Sequence, residues 1–170
     1  MQSDKQKWDK KYARSDQTNP PSELLVQYWE SAPMGHALDL ACGLGRHALF
    51  LAEKGFELDA VDISPIGLAR INHPRIKTIE ADLDTWPIPA NAYELIINFN
   101  FLDRRLFPAI AKALKPGGVL IFETALLENT HIRTESFKLH PGELKAAFSD
   151  LEEIHYVEKN ARASLVSRKV

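Results

Sequence analysis

The sequence predicts a single α/β domain built on a mostly parallel sheet, and three observations carry that reading. From His36 onward, short apolar runs that end in acidic or small residues alternate with stretches of helical period, the rhythm of βαβ units. A glycine-rich turn, Cys42-Gly43-Leu44-Gly45, lies between the first run and the helix after it. The last two runs, at about 151–157 and 163–167, are separated only by residues 158–162, a link that permits an antiparallel hairpin but no parallel crossover.

Each element follows from local chemistry. Residues 4–14 are polar and helix-prone, and 22–30 place Leu24, Leu25 and Tyr28 on one helical face. The run Ser15-Asp16-Gln17-Thr18-Asn19-Pro20-Pro21 separates the two helices with turn formers. Residues 36–40 read as strand one, 46–53 as a helix stopped by Gly55, and 56–61 as strand two. Ser64-Pro65 opens a helix expected to reach about Ile71, since Ser caps an orphan amide and Pro tolerates the first turn. Strand three covers 75–80. Trp86-Pro87-Ile88-Pro89 is too proline-rich for a helix, so the chain should cross directly to strand four at 93–98. A helix at 103–114, a Lys115-Pro116-Gly117-Gly118 turn and strand five at 119–123 follow. A polar loop to Leu139 and a short helix opened by His140-Pro141-Gly142-Glu143 precede the final hairpin. Residues 1–34 thus form a helical arm, and 35–170 the ligand-binding domain.

Composition narrows function. With 170 residues and 45% hydrophobic content, one core can fold without disulfides or structural metal, and a second domain has no room. The formal charge of −2, from 21 basic and 23 acidic residues, creates no field to gather nucleic acid or an anionic membrane. A small-molecule partner is expected, with the chain a monomer or homodimer. Cys42 is the only cysteine, so no intrachain disulfide or cysteine pair for zinc exists. His36, His47, His73, His131, His140 and His155 lack ligand-pair spacing, so no metal is expected and they read as surface or packing residues. No apolar signal core or bilayer-length stretch is present, which predicts a soluble cytoplasmic protein.

The chemistry concentrates after strand one. Gly43 and Gly45 let the backbone turn sharply and a ligand approach it, and the amides of the following helix start face that ligand. Asp39, just inside the strand, can accept from the turn's amides or, through water, from a ligand ammonium. The spacing Gly43-x-Gly45-x-x-Ala48 equally satisfies the dinucleotide fingerprint, so this turn alone leaves a nicotinamide-dependent oxidoreductase open. Asp62 closes strand two beside it, where a carboxylate can accept both hydroxyls of a ribose. Ile63 would lie against an adenine face. Asp82 can accept from the adenine amine while the Leu83 amide donates to a ring nitrogen.

Taken in order, Asp39-x-x-Cys42-Gly43-x-Gly45, Asp62-Ile63-Ser64, Ala81-Asp82-Leu83 and Leu114-Lys115-Pro116-Gly117-Gly118 resemble the class I S-adenosylmethionine-dependent methyltransferases. Trp8-Asp9-x-x-Tyr12, Cys42-Gly43-x-Gly45-Arg46 and Leu51-Ala52 are similar to the small tellurite-resistance methyltransferase family. The resemblance implies a Rossmann-like three-layer α/β sandwich: a seven-stranded, mostly parallel sheet ordered 3-2-1-4-5-7-6, an antiparallel C-terminal strand and an N-terminal helical arm. It implies S-adenosylmethionine as cofactor, with Gly43 and Gly45 by its methionine part, Asp62 on the ribose, Asp82 and Leu83 on adenine, and Asn98 near the sulfonium and amino group. Arg46 would pair with the cofactor carboxylate or with an acid from the arm. Trp8, Tyr12 and Arg14 would fold over the cofactor as a lid, or else lie on an amphipathic helix packed at the sheet edge.

Asn98-Phe99-Asn100 departs from the acidic-Pro-Pro-Tyr signature of nucleobase and amide N-methylating enzymes, which disfavours those acceptors. A thiol or a selenium or tellurium species is the acceptor class expected. No general base is assigned; Asn98, Phe99 and Arg133 are candidate pocket residues, with His131 and His140 on the segment that borders the acceptor. A noncatalytic protein that binds the cofactor as a sensor shares all of these features.

Overall fold

The computed structural model of the chain describes residues 2–15 and 19–170. Seven strands form one sheet in the order β3-β2-β1-β4-β5-β7-β6, the order that the resemblance implied. The strands are β1 (His36–Leu40), β2 (Glu57–Asp62), β3 (Ile76–Glu80), β4 (Tyr93–Phe99), β5 (Leu114–Ala125), β6 (Glu152–Lys159) and β7 (Arg162–Arg168). Strands β1 to β5 pair in parallel, while β7 runs antiparallel to both β5 and β6. Only Asn160 and Ala161 join β6 to β7, both at positive φ (55° and 59°), as a two-residue primed turn demands. The strand order reverses at β1, between its neighbours β2 and β4, the kind of switch point at which open α/β sheets bind ligands, in the crevice outside the strands' carboxyl ends.

Apolar side chains on the two sheet faces make two cores. On one face Leu24 and Leu25 of α2 (Glu23–Tyr28) and Ala48, Leu51 and Ala52 of α3 (Arg46–Lys54) pack with Ala37, Leu95 and Ile97. On the other, Phe107, Ile110 and Ala113 of α5 (Phe107–Ala113) and Leu144 of α6 (Glu143–Ala147) meet Leu38, Leu40, Ile96 and Phe122. Each fully buried Leu, Ile or Phe contributes about 1.5–3 kcal/mol relative to exposure. The fold is therefore three layers, held from both sides.

The arm holds α1 (Gln2–Arg14), then α2, which tightens into a 3-10 turn at Trp29–Ser31 rather than remaining α-helical to Glu30. The intervening turn run includes residues 16–18, which lie outside the described residues. Helix α4 is shorter than expected, Pro65–Leu68, ending before Ile71. Its Ser64 cap is as expected, with the Ser64 hydroxyl accepting from the Gly67 amide at 3.3 Å. The expected helix from Asp103 begins as a 3-10 turn, Arg104–Leu106, and Leu114 already belongs to the sheet.

Lys115-Pro116-Gly117-Gly118 is not a turn before β5 but an excursion within it. Tyr93 pairs with Leu114 and Leu95 with Val119, so five residues of β5 pass while β4 advances two. Gly117 takes φ +82° there, and the Gly117 amide and Gly118 carbonyl bond Lys169 of the C-terminal segment. A long-range contact overrode the local turn signal.

Candidate active site

The expected turn forms at the carboxyl end of β1. Cys42 donates its amide to the Val61 carbonyl at 3.0 Å, prolonging the pairing with β2, and Gly45 donates back to the Cys42 carbonyl at 2.9 Å. Ala41, Gly43 and Gly45 all take positive φ (55°, 59° and 82°). Gly43 and Gly45 suit that conformation; Ala41 is held there against its steric preference, backbone strain of the kind that collects at binding sites.

Asp62, 5% exposed at the end of β2, accepts the Gly43 amide at 2.8 Å on one oxygen and the Ser64 amide at 2.9 Å on the other. It thereby ties the glycine turn to the start of α4. Burial raises its pKa while the Ser64, Gly43 and Ile63 amides oppose that shift. Asp39, 2% exposed, has its pKa raised well above the carboxylate range by burial and then by the Asp62 charge. The Cys42 thiol is likewise raised, first by burial and then by Asp39. Asp39 Oδ2 at β1 and Asn98 Oδ1 at β4 are buried acceptors with no hydrogen-bond partner among the described residues. Leaving such groups unpaired costs about 1–3 kcal/mol each, so their placement at the crevice calls for a ligand carrying donors.

Around this centre the arm closes one side. Ser64 donates its hydroxyl to Asp9, which lowers the Asp9 pKa. Trp8 stacks on Tyr12 with ring centroids 5.6 Å apart, and Arg70 donates to the carbonyls of Tyr12 (3.2 Å) and Ser15. The Tyr12 ring lies over two glycines. A Cβ at Gly43 would meet its hydroxyl at 3.0 Å, and one at Gly67 would meet its Cδ2 at 2.9 Å and the Gly43 carbonyl oxygen at 3.0 Å. Burial and then the Asp62 charge raise the Tyr12 phenol pKa, so its proton is retained.

Gly67 is a close-packing position that the helix pattern concealed; a glycine inside a four-residue helix was the available signal. Gly67→Ala gains about 1 kcal/mol of helix propensity yet crowds a ring and a backbone carbonyl. It is expected to loosen α1, speeding limited proteolysis within residues 2–15 by about tenfold, the counterpart of about 1.4 kcal/mol of overpacking. In a Tyr12→Ala background the added methyl should have much less effect on cleavage. Equal acceleration in both backgrounds would exclude the contact as the cause.

The remaining expected residues divide clearly. Ile63 is half-buried beside Asp62, and Leu83 is buried. Asp82 accepts the Asp84 amide at 2.9 Å, organising the loop after β3. Arg46 donates to the Pro20 carbonyl at 3.2 Å rather than to an acid of the arm. Arg14, His131, Arg133 and His140 are exposed. Arg104 anchors the segment carrying the last three by bonding both Glu143 oxygens and the carbonyls of Ser136 and Lys138. His47, expected to be a surface or packing residue, is 5% exposed and bonded at the inner end of the arm. Among the described residues no group of three metal-capable side chains occurs, and no helix is long and apolar enough to cross a membrane.

The antiparallel β7 inserted between β5 and β6 departs from the 3-2-1-4-5-6 order of dinucleotide dehydrogenases, which share the glycine turn and the acid closing β2. Fold and motif order resemble those of the class I S-adenosylmethionine-dependent methyltransferases, and a family model described as "Methyltransferase domain" matches residues 37–118. S-adenosylmethionine is the cofactor of that class, and the glycine cradle and orphaned acceptors fit it.

More narrowly, the chain is similar to TehB. It is 29% identical over 137 residues to "Probable S-adenosyl-L-methionine-dependent methyltransferase TehB" of Haemophilus influenzae, covering 71% of this chain and 47% of that protein. The TehB crystal structure from Haemophilus influenzae superposes with a TM-score of 0.75 at 20% identity, covering 96% of this chain and 67% of that one. "Ribosomal RNA small subunit methyltransferase C" of Idiomarina loihiensis is 35% identical over 85 residues, 47% of this chain and 25% of its own length. The chain thus spans half or less of the length of these two curated relatives.

Proposed function

We propose that this protein binds S-adenosylmethionine in the crevice between β2, β1 and β4 and transfers its methyl group to a small nucleophile, a thiol or a selenium or tellurium species. The observation that carries the reading is Asp62, buried and bonded to the Gly43 and Ser64 amides, with the orphaned acceptors Asp39 and Asn98 on the next two strands of the sheet. Asp62 would take the ribose, Ile63, Asp82 and Leu83 the adenine, and Gly43, Gly45, Arg46 and Asn98 the methionine part, with Cys42 lining the turn and Tyr12 covering it. Bound there, the sulfonium supplies a methyl group already activated for transfer.

The protein's task is then alignment and exclusion of water. Trp8 and Tyr12 close the donor side, and buried Phe99 and Asn98 border the acceptor side. An anionic nucleophile loses charge as it takes the methyl, which a dry site favours, so a dedicated base is dispensable. The resemblance to the small tellurite-resistance methyltransferases and the Asn98-Phe99-Asn100 terminus support a small acceptor, and the net charge of −2 argues against a nucleic-acid substrate.

The decisive experiment pairs calorimetry with a radiolabelled-methyl screen over thiols, selenite, tellurite, small amines and carboxylates. S-adenosylhomocysteine is expected to bind, NAD not to bind, and label to appear in a thiol or chalcogen product. Cofactor binding without transfer to any acceptor would favour a sensor. Binding of NAD in place of S-adenosylhomocysteine would overturn the cofactor assignment.

A further inference from the structure

We propose that His47 is a positioning residue that couples the inner end of the arm to the acceptor-side wall at Phe99, an inference that rests on the methyltransferase reading above. His47 is the second residue of α3, directly after the glycine turn and Arg46. Its Nε2 accepts the Ser22 amide at 3.1 Å, and its ring stacks on Phe99 with centroids 4.2 Å apart and planes 22° apart. One side chain therefore touches the arm, the turn's helix and the residue next to Asn98.

The link has a required chemical state. To accept from an amide, Nε2 must carry a lone pair, so the neutral ring keeps its proton on Nδ1. Burial, followed by the Arg46 charge, lowers the His47 pKa to about 3, and the imidazole stays neutral in that setting. Ser22 is itself a junction. Its hydroxyl caps α2 by accepting the Leu24 amide at 3.3 Å and lies 3.4 Å from a Glu123 oxygen at the end of β5. Arg46 holds the adjacent Pro20 carbonyl. Residues 20–22 are therefore fastened to the first turn of α3 by two consecutive side chains, and only His47 continues that fastening to β4 through Phe99.

A histidine used merely for packing would tolerate any flat or apolar replacement of similar size. The two limbs can be cut separately. His47→Phe keeps a ring for Phe99 and loses the acceptor for Ser22. His47→Gln keeps an acceptor oxygen within reach of Ser22 and loses the ring. The test is amide hydrogen exchange in the complex with S-adenosylhomocysteine, alongside the calorimetric Kd for that ligand.

The expected result is that His47→Phe speeds exchange at Ser22 and Leu24 by about tenfold or more while Phe99 and Asn100 stay protected. His47→Gln should give the reverse pattern, and both variants should bind S-adenosylhomocysteine within about threefold of the wild type, less than one hydrogen bond's worth. With the best acceptor from the methyl screen, KM for that acceptor should rise in both while KM for the cofactor holds. Equal exchange patterns in the two variants, or unchanged exchange in both, would overturn the coupling. Failure of the wild type to bind S-adenosylhomocysteine would instead sink the cofactor assignment, so the two failures are distinct.

Discussion

Asp62→Ala is expected to weaken S-adenosylhomocysteine binding by about 100-fold or more, measured by calorimetry. Two losses combine. The carboxylate is the proposed acceptor for both ribose hydroxyls, and charge-assisted bonds of that kind contribute about 1.5–3 kcal/mol each. The same carboxylate also holds the Gly43 and Ser64 amides at 2.8 and 2.9 Å, so its removal leaves two buried donors unpaired and frees the turn from α4. At about 1.4 kcal/mol per tenfold, loss of the ribose bonds alone reaches the stated range. Asp62→Asn retains one oxygen acceptor and should fall between wild type and alanine. Binding of Asp62→Ala within threefold of the wild type would remove Asp62 from the ribose and leave it a purely structural tie.

The second large effect is on stability. Gly45→Ala should destabilise the fold by about 2–4 kcal/mol, read from the urea midpoint, because strain and crowding act together. Gly45 adopts φ +82°, and a Cβ there would lie 2.6 Å from both Cδ1 and Cγ1 of Ile71, a side chain only 8% exposed. Gly117 provides an internal control. It takes the same φ, +82°, but a Cβ would meet nothing within 4 Å, so Gly117→Ala bears only the conformational cost of about 1–2 kcal/mol. The difference between the two variants isolates the clash with Ile71. Equal losses would mean that Ile71 swings away freely and that Gly45 is required for its backbone alone.

The glycine turn is legible in the sequence itself. Glycines two apart between an apolar strand and an amphipathic helix have few other uses, and the acid ending the next strand lies beside them in any parallel βαβ arrangement. Asp39, Gly43, Gly45 and Asp62 were legible for that reason. Tyr12 was legible only through resemblance. The second glycine beneath its ring, Gly67, was not, because contact between α1 and α4 joins residues more than fifty positions apart, which no local pattern encodes. His47 proved to be the packing residue that the sequence allowed, but its particular partners were hidden for the same reason. Its partners, Ser22 and Phe99, approach it from opposite directions along the chain, and an isolated histidine in a helix shows neither.

The boundaries that moved have the same origin. Hydrophobic period and capping residues place elements well where local forces dominate, as at Ser64-Pro65 and Gly55. They failed at Lys115-Pro116-Gly117-Gly118, where bonds to Lys169 and pairing with β4 drew a turn sequence into the sheet. By itself, then, the sequence determined the layered α/β class, the parallel rhythm, the closing hairpin and the glycine turn, because each depends on spacing within a short stretch. Only the tertiary structure decided that Asp62 binds the turn's own amide, that Tyr12 packs against two glycines and that His47 meets both Ser22 and Phe99. Those contacts depend on which distant side chains share one small volume, and packing settles that only once the sheet has formed.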